Sequence, residues 1–168
     1  MLGEIGSLLT LLSVTTTVYA GFAIAWGLHQ RDQRWLESAK RATYAVPVLL
    51  GIALLLLLTA FISDDYSIRY VIEHTSRALP LYLKVSAIWA GQAGSLLLWG
   101  FLQALFAALA VGFPTERARP LVPWATLFLT IITAFFLIVM VFTSNPFTMV
   151  PEAPTNGMGL NPLLRHPG

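Results

Sequence analysis

Four stretches of the chain are long enough and apolar enough to cross a membrane as helices. A span takes about 20 mostly apolar residues, because the hydrocarbon core of a bilayer is about 30 Å thick. The predicted spans cover residues 1–28, 44–62, 93–113 and 124–142. Since backbone facing lipid must satisfy its own hydrogen bonds, the spans are predicted to be helices. The expected fold is an all-α, polytopic transmembrane bundle of four helices, with loops at 29–43 and 114–123, an outer segment at 63–92 and a tail at 143–168.

Composition supports a lipid environment. Of the 168 residues, 57% are hydrophobic and 11% are charged, and the mean hydropathy is +0.73. A small soluble domain leaves much of its surface exposed and has no place for so many apolar residues, so a soluble enzyme and a disordered chain are both excluded. A net charge of +2 indicates no nucleic-acid partner. The chain contains no cysteine, so any thiol chemistry belongs to a partner.

The basic residues predict the orientation. Six of them lie in the two short loops, whereas four lie in the longer segments of the opposite side. The positive-inside rule therefore places the loops in the cytoplasm and both termini outside. No Lys or Arg precedes Arg31, so the first span is predicted to be retained and not cleaved as a signal peptide.

The outer segment 63–92 carries two competing patterns. Apolar and polar residues alternate over 66–72, which favours a short strand, whereas charges of alternating sign at Asp65, Arg69, Glu73 and Arg77 fit an exposed helix. We predict the strand. The stretch after Pro80 fits either a helix on the membrane surface, with Lys84 on its polar side, or an outward extension of the third span. The tail is rich in proline and glycine, which predicts a loop, and its large apolar residues predict that it packs on something instead of being fully solvated.

The segment WAGQAGSLLLW, from Trp89 to Trp99, is the strongest candidate for binding. Gly91 and Gly94 permit close backbone approach, Ser95 is one of several possible helix caps, and Trp89, Leu96, Trp99 and Gln103 share a face if the helix continues through them. Small residues between two indoles form a flat surface that suits a planar amphiphile such as a porphyrin. Small residues also serve helix–helix packing in membranes, and interfacial tryptophan needs no ligand.

The remaining polar residues give weaker signals. No charged residue lies deep in a span, which argues against a pump or a proton-coupled transporter. His29 is interpreted as an interfacial residue and His74 as a residue that forms hydrogen bonds within its loop, although imidazole is a common iron ligand. Arg77, more than Arg69 or Lys84, is a candidate for neutralising a haem propionate or an acidic partner; all three otherwise balance Asp64, Asp65 and Glu73.

Four segments together resemble one family. WAGQAGSLLLW is similar to the WGG-x-x-GSLLLW stretch of the CcmF family of cytochrome c maturation (System I) haem lyases, with Ala90 where glycine is usual. DDYSIRYVIEHTSRALPLYLKVSAIW, TSNPF and GLNPLLRHPG resemble further segments of that family in the same order. The resemblance runs over nearly the whole chain and implies the N-terminal portion of such a protein, because the family's outer-face histidines, its tryptophan-rich core and its intramembrane haem b ligands all come later. His166 stands where the family usually has Asp, and no axial role is carried onto it.

The resemblance implies a multi-pass protein of the bacterial inner membrane, rather than of an organellar one, with a periplasmic N-terminus. The complete protein would receive b-type haem from a periplasmic haem chaperone and join its vinyl groups by thioethers to the thiols of apocytochrome c, alongside other maturation subunits. This chain would supply one wall of the haem surface, formed by Trp89, Gly91, Gly94, Ser95, Leu96, Trp99 and Arg77, with no catalytic residue and no metal ligand, and it would be inactive alone. The alternative is a helical scaffold that docks the chaperone or a thiol-reducing partner without touching haem. A haem or solute transporter subunit is a third reading, which the lack of buried polar residues weakens.

Overall fold

The computed structural model describes residues 1–159, and the regular elements in that range are helices. In chain order they are α1 (Leu2–Gln30), α2 (Gln33–Ile62), α3 (Arg69–His74), α4 (Leu81–Ala87), α5 (Gln92–Gly112) and α6 (Val122–Thr143), with a 3₁₀ turn at Arg119–Leu121 before α6. Four of these helices are long and apolar enough to cross a membrane, namely α1, α2, α5 and α6, the last together with its 3₁₀ turn. The prediction of an all-α, four-span bundle is confirmed.

The four long helices form a closed bundle. Helix α1 packs against α2 and α6, and α5 packs against the same two helices. We call one end of the bundle the capped end, because it carries the start of α1, residues 63–91 and residues 144–159. The other end, formed by the α1–α2 turn and residues 113–121, holds the six basic loop residues of the sequence analysis and is called the basic end. The candidate site lies at the capped end.

The buried face of α1 consists almost entirely of small residues, which lets its neighbours approach closely. Its hydroxyl groups donate to carbonyls of the preceding turn, for example Ser13 Oγ to Leu9 O at 2.7 Å, so they add no unsatisfied polar atom to the core. The face is formed by Gly3, Gly6, Thr10, Ser13, Thr17, Ala20 and Ala23.

Helix α2 begins earlier than the sequence predicts. The segment 29–43, predicted as a loop, is helical from Gln33 onward, because the Asp32 side chain accepts a hydrogen bond from the Arg34 backbone N–H at 2.9 Å and caps the helix. Its basic residues lie on the exposed surface of the helix. The early start also places Pro47 inside the helix rather than near its beginning.

Residues 66–72 do not form the predicted strand. Only Ile68 is extended, pairing with Met149 in an isolated antiparallel bridge, and α3 starts at the next residue. Tyr70, Val71 and Ile72 are all buried, because the segment is covered on more than one side. The alternation nevertheless gives the burial correctly at every position but Val71, although the backbone forms a turn and a short helix instead of a strand.

Residues 80–91 form a separate element. Helix α4 ends at Ala87, and a turn at 88–91 separates it from α5, so the stretch after Pro80 is not an extension of the third span. Lys84 does not lie on a polar side of α4, since it is 7% exposed. The turn at 88–91 brings the first residues of the tryptophan–glycine segment against α3.

Candidate functional site

Tyr70 fixes the turn between α4 and α5. Its hydroxyl donates to Ile88 O at 2.8 Å and accepts a hydrogen bond from the Gly91 backbone N–H at 3.1 Å. Burial raises the pKa of Tyr70 to about 12, so the hydroxyl keeps its proton, and its ability to donate, at neutral pH. The ring packs edge-on against Phe61 with centroids 5.7 Å apart. A side chain from α3 thus determines the position of the start of α5.

Other residues of the chain occupy the space beside Gly91 and Gly94 where a side chain would lie. A Cβ on Gly94 would collide with Ile88 O, and one on Gly91 would collide with the imidazole of His74. Gly94 is buried and Gly91 is half-buried. Close backbone approach at both glycines is what the sequence predicts, but the groups that approach are an internal carbonyl and the rings of α3. The part of the segment available to a ligand is therefore its tryptophans and the residues between them on α5.

The two tryptophans of the segment are accessible. Trp89 is 50% exposed and Trp99 is 60% exposed, and Leu96 between them is half-buried. Trp89 lies in the turn before α5, so it does not share a helical face with Leu96 and Trp99 as predicted. Ser95 is not the cap, a position that Gly91 occupies; instead the Ser95 hydroxyl donates to Trp89 O at 2.9 Å and holds the turn against the helix.

Arg77 lies in the turn between α3 and α4 and is exposed. Its backbone N–H donates to Asn156 Oδ1 at 3.0 Å, which ties this turn to the tail. Within residues 1–159 its guanidinium makes no salt bridge. Arg69 is also exposed, and its backbone N–H donates to Thr148 O at 2.9 Å. Among the described residues neither arginine forms a salt bridge, and the backbone of each is held in place by a hydrogen bond to the tail.

Lys84 and Asp64 form a direct, largely buried ion pair, whereas the sequence analysis expected solvated charges that only balance one another. The Lys84 ammonium binds both carboxylate oxygens of Asp64, at 2.7 and 2.6 Å. Asp64 has a positive φ of 53°, a conformation that Asp tolerates better than most residues and that turns its carboxylate toward α4. Because it is buried and paired, Lys84 is unsuited to the propionate role considered for it.

The imidazole of His74 packs against Tyr70 and Gly91 and holds α3 against the start of α5. Its Nδ1 lies 3.0 Å from Tyr70 O, its ring lies 4.3 Å from the Tyr70 ring, and its Nε2 faces Gly91. Among the described residues no group of three or more His, Cys, Asp or Glu side chains is placed to hold a metal ion. The described part of the chain thus offers an aromatic surface and two exposed arginines that make no salt bridge within residues 1–159.

The tail closes the capped end, as its apolar content predicts. Phe147 is 1% exposed and packs on Gly6. Asn156 Oδ1 accepts hydrogen bonds from the Tyr66 hydroxyl at 3.2 Å and from Arg77 N, while Met158 N donates to Ile72 O at 2.7 Å. Leu160, Leu163, Leu164 and His166, with most of the GLNPLLRHPG motif, lie outside the described residues. No pattern in the sequence indicates that Asn156 joins Tyr66 and Arg77, two parts of the outer segment.

Comparisons with known proteins agree with this architecture. No family model matches the chain. The chain is 34% identical over its full length to the cytochrome c-type biogenesis protein ccl1 of Rhodobacter capsulatus, and 30% identical over its full length to the cytochrome c-type biogenesis protein CcmF of Escherichia coli. In each case it spans 26% of the relative. A solved structure titled cytochrome c heme lyase CcmF matches 88% of this chain and 25% of its own, with a TM-score of 0.78 and 28% identity.

The similarity in sequence and the similarity in structure point to the same proteins. The chain spans about a quarter of the length of the curated relatives it matches, which is consistent with the N-terminal portion of such a protein. Its four apolar helices make it a multi-pass membrane protein. This chain belongs to the CcmF family of cytochrome c-type biogenesis proteins.

Proposed function

We propose that this chain forms part of a cytochrome c haem lyase of the bacterial inner membrane, and that its capped end faces the periplasm and supplies one wall of a haem-binding surface. The observation that carries the proposal is the exposure of Trp89 and Trp99, which are 50% and 60% exposed on either side of a half-buried Leu96. Aromatic faces are the usual contact for a planar apolar ring. The relatives' names supply the ligand class, because one is titled a cytochrome c heme lyase.

The residues present fit the edge of a haem group and not its iron. Trp89, Leu96 and Trp99 would contact the ring, with Ser95 beside them on α5, whereas Gly91 would act indirectly by letting the His74 imidazole pack behind the turn. Arg77 would neutralise a propionate, since its guanidinium makes no salt bridge within residues 1–159. Gly94 would contribute by letting α5 pack under the turn, because its own surface is buried. Axial ligands would come from other parts of the complete protein, because the His74 imidazole is held between Tyr70 O and Gly91.

Haem, when bound, supplies vinyl groups that form thioethers with reduced thiols. This chain has no cysteine, so the thiols would be those of apocytochrome c. The chain's own residues would bind and orient the ring: the Tyr70 hydroxyl fixes the turn that carries Trp89, and the Ser95 hydroxyl fixes Trp89 relative to α5. A periplasmic haem chaperone would deliver the ring, and other maturation subunits would contact the same end.

A double variant, Trp89→Ala with Trp99→Ala, tests the proposal in the complete protein purified from membranes. We expect weaker haem binding in titrations followed by the haem absorption bands. Trp124→Ala is a matched control, because Trp124 is 61% exposed but starts α6 at the basic end. Equal haem binding by the double variant and the control would reject the proposal that this surface forms a wall of the haem site. Unchanged haem bands together with lost co-purification of maturation partners, when exposed residues of 63–78 are altered, would support the scaffold alternative instead.

A further inference from the structure

The basic end of the bundle contains a cleft that the proposed function does not use. Its volume is about 240 Å³, and its walls come from all four long helices and from the connection between α5 and α6. It lies at the end of the bundle opposite the tryptophans. The lining residues are Ile24, Gln33, Leu36, Glu37, Lys40, Val111, Pro114, Arg119, Val122, Pro123 and Thr126.

The cleft is apolar at its base and charged at its rim. Ile24, Val111 and Thr126 are buried and form the base, whereas Lys40 and Arg119 are exposed at the rim. A free inorganic anion would gain nothing from the apolar base, and a purely apolar ligand would gain nothing from the two cations. An amphiphile with a negatively charged head group matches both parts.

Charge at this end favours an anion. The connections and first turns hold six Lys or Arg residues and three carboxylates, an excess of three positive charges in a chain whose total formal charge is +2. Within residues 1–159 neither Lys40 nor Arg119 forms a salt bridge, although Glu37 also lines the cleft. At the capped end, in contrast, the buried Lys84 is neutralised by Asp64. The rim cations of the cleft are therefore available to a ligand.

We propose that this cleft, which we call the basic-end cleft, binds an anionic phospholipid. Lys40 and Arg119 hold the phosphate of the head group, and the glycerol and first acyl carbons lie against Ile24, Val111 and Val122. The volume is below the roughly 300–1,000 Å³ of pockets that enclose a whole small molecule, so only the head-group end of the lipid is accommodated and the acyl chains extend along the bundle. Juxtamembrane cations attract anionic lipid by this same electrostatic term. The proposal stands independently of haem binding.

Native mass spectrometry of the complete protein tests the site. The protein is released from micelles that contain equal amounts of phosphatidylglycerol and phosphatidylcholine. We expect one phosphatidylglycerol retained in preference to phosphatidylcholine, and retention weakened at least about tenfold by Lys40→Ala with Arg119→Ala, because the charge-assisted hydrogen bonds to the phosphate are lost. Arg41→Ala with Arg117→Ala is the matched control, because it removes the same charge from the same end at residues that do not line the cleft. The control is expected to keep most of its lipid.

A second variant separates shape from charge. Val111→Phe adds bulk at the base of the cleft and leaves every charge in place, so it should also reduce phosphatidylglycerol retention, provided thermal unfolding shows that the variant folds. Equal lipid loss in the two double-alanine variants would overturn the proposal in favour of a diffuse field. Equal retention of phosphatidylcholine, displacement of the lipid by millimolar glycerol 3-phosphate, or no retained phosphatidylglycerol at all would overturn it as well.

Discussion

The Lys84 ammonium and the Asp64 carboxylate are joined by two hydrogen bonds of 2.7 and 2.6 Å at the capped end of the bundle. Their side chains are 9% and 21% exposed, respectively, so the cation is the more deeply buried member of the pair. The pair links the end of α2 to α4 and thereby positions the helix that precedes Trp89.

Asp64→Asn is expected to destabilise the protein by about 3–5 kcal/mol, because it leaves a buried ammonium without a counter-charge. Asn tolerates the positive φ of residue 64, so the change acts through charge and not through the backbone. The double variant Asp64→Asn, Lys84→Met should recover part of that loss. Glu73→Gln removes an exposed carboxylate from α3 and should shift stability by less than about 0.5 kcal/mol. Thermal unfolding in detergent measures all four proteins, and equal melting temperatures for Asp64→Asn and Glu73→Gln would contradict the prediction.

Gly94→Ala is expected to destabilise the α4–α5 turn, because its Cβ would collide with the backbone carbonyl of Ile88, which cannot move without the turn. A loss of about 1–3 kcal/mol in the free energy of unfolding is typical of such overpacking. Gly21→Ala is the matched control in α1, where the added Cβ would meet Thr130 Cγ2 at an ordinary 3.5 Å. Denaturant unfolding in detergent compares the two variants. A Gly94→Ala protein as stable as the Gly21→Ala protein would show that the turn has room to adjust.

The pH dependence of stability reports on Tyr70. Burial raises its pKa from the ordinary value of 10.0 to about 12, so the folded state holds the proton more tightly than the unfolded state. The resulting stabilisation is complete below pH 10 and is lost as the pH rises from 10 to 12. Tyr70→Phe should therefore flatten the alkaline fall in stability, and at neutral pH it should cost about 1–3 kcal/mol because Ile88 O and Gly91 N lose their partner.

Tyr82→Phe is the control for that experiment, since Tyr82 is 71% exposed. Burial, followed by the Asp64 carboxylate, also raises the pKa of Tyr66, so some alkaline sensitivity should remain in Tyr70→Phe. The test is the free energy of unfolding of the unmodified protein and both variants, measured between pH 8 and 12. Identical alkaline slopes for the unmodified protein and Tyr70→Phe would refute the assignment.

Asn156→Ala is expected to loosen the tail without unfolding the bundle. The variant removes the oxygen that accepts hydrogen bonds from Tyr66, Arg77 and Gly157, while the contact of Phe147 with Gly6 persists. Limited proteolysis should cut within residues 150–159 several times faster, with an unchanged melting temperature. Glu152→Ala, at an exposed tail position, should behave like the unmodified protein. A similar acceleration in both variants would indicate that Asn156 is not the tie.

The spans were predictable because lipid imposes a simple requirement on composition, and the third span was placed within one residue of α5. The capped end was much less predictable. The partner of Lys84 lies 20 residues earlier in the chain, at Asp64, whose left-handed conformation no pattern in the sequence indicates. The small size of Gly91 and Gly94 was informative, but nothing local indicated that His74 and Tyr70, not a ligand, lie against them.

The packing of Phe147 against Gly6 has a consequence for biogenesis. A ribosome releases α1 long before Phe147 is made, and the hollow over Gly6 stays open while the later helices enter the bilayer one by one. Assembly of this end therefore waits until α6 and the residues directly after it have been made, whatever the order in which the earlier helices associate. A nascent chain stalled before residue 147 would be inserted in the membrane and still lack a finished surface for the two indoles.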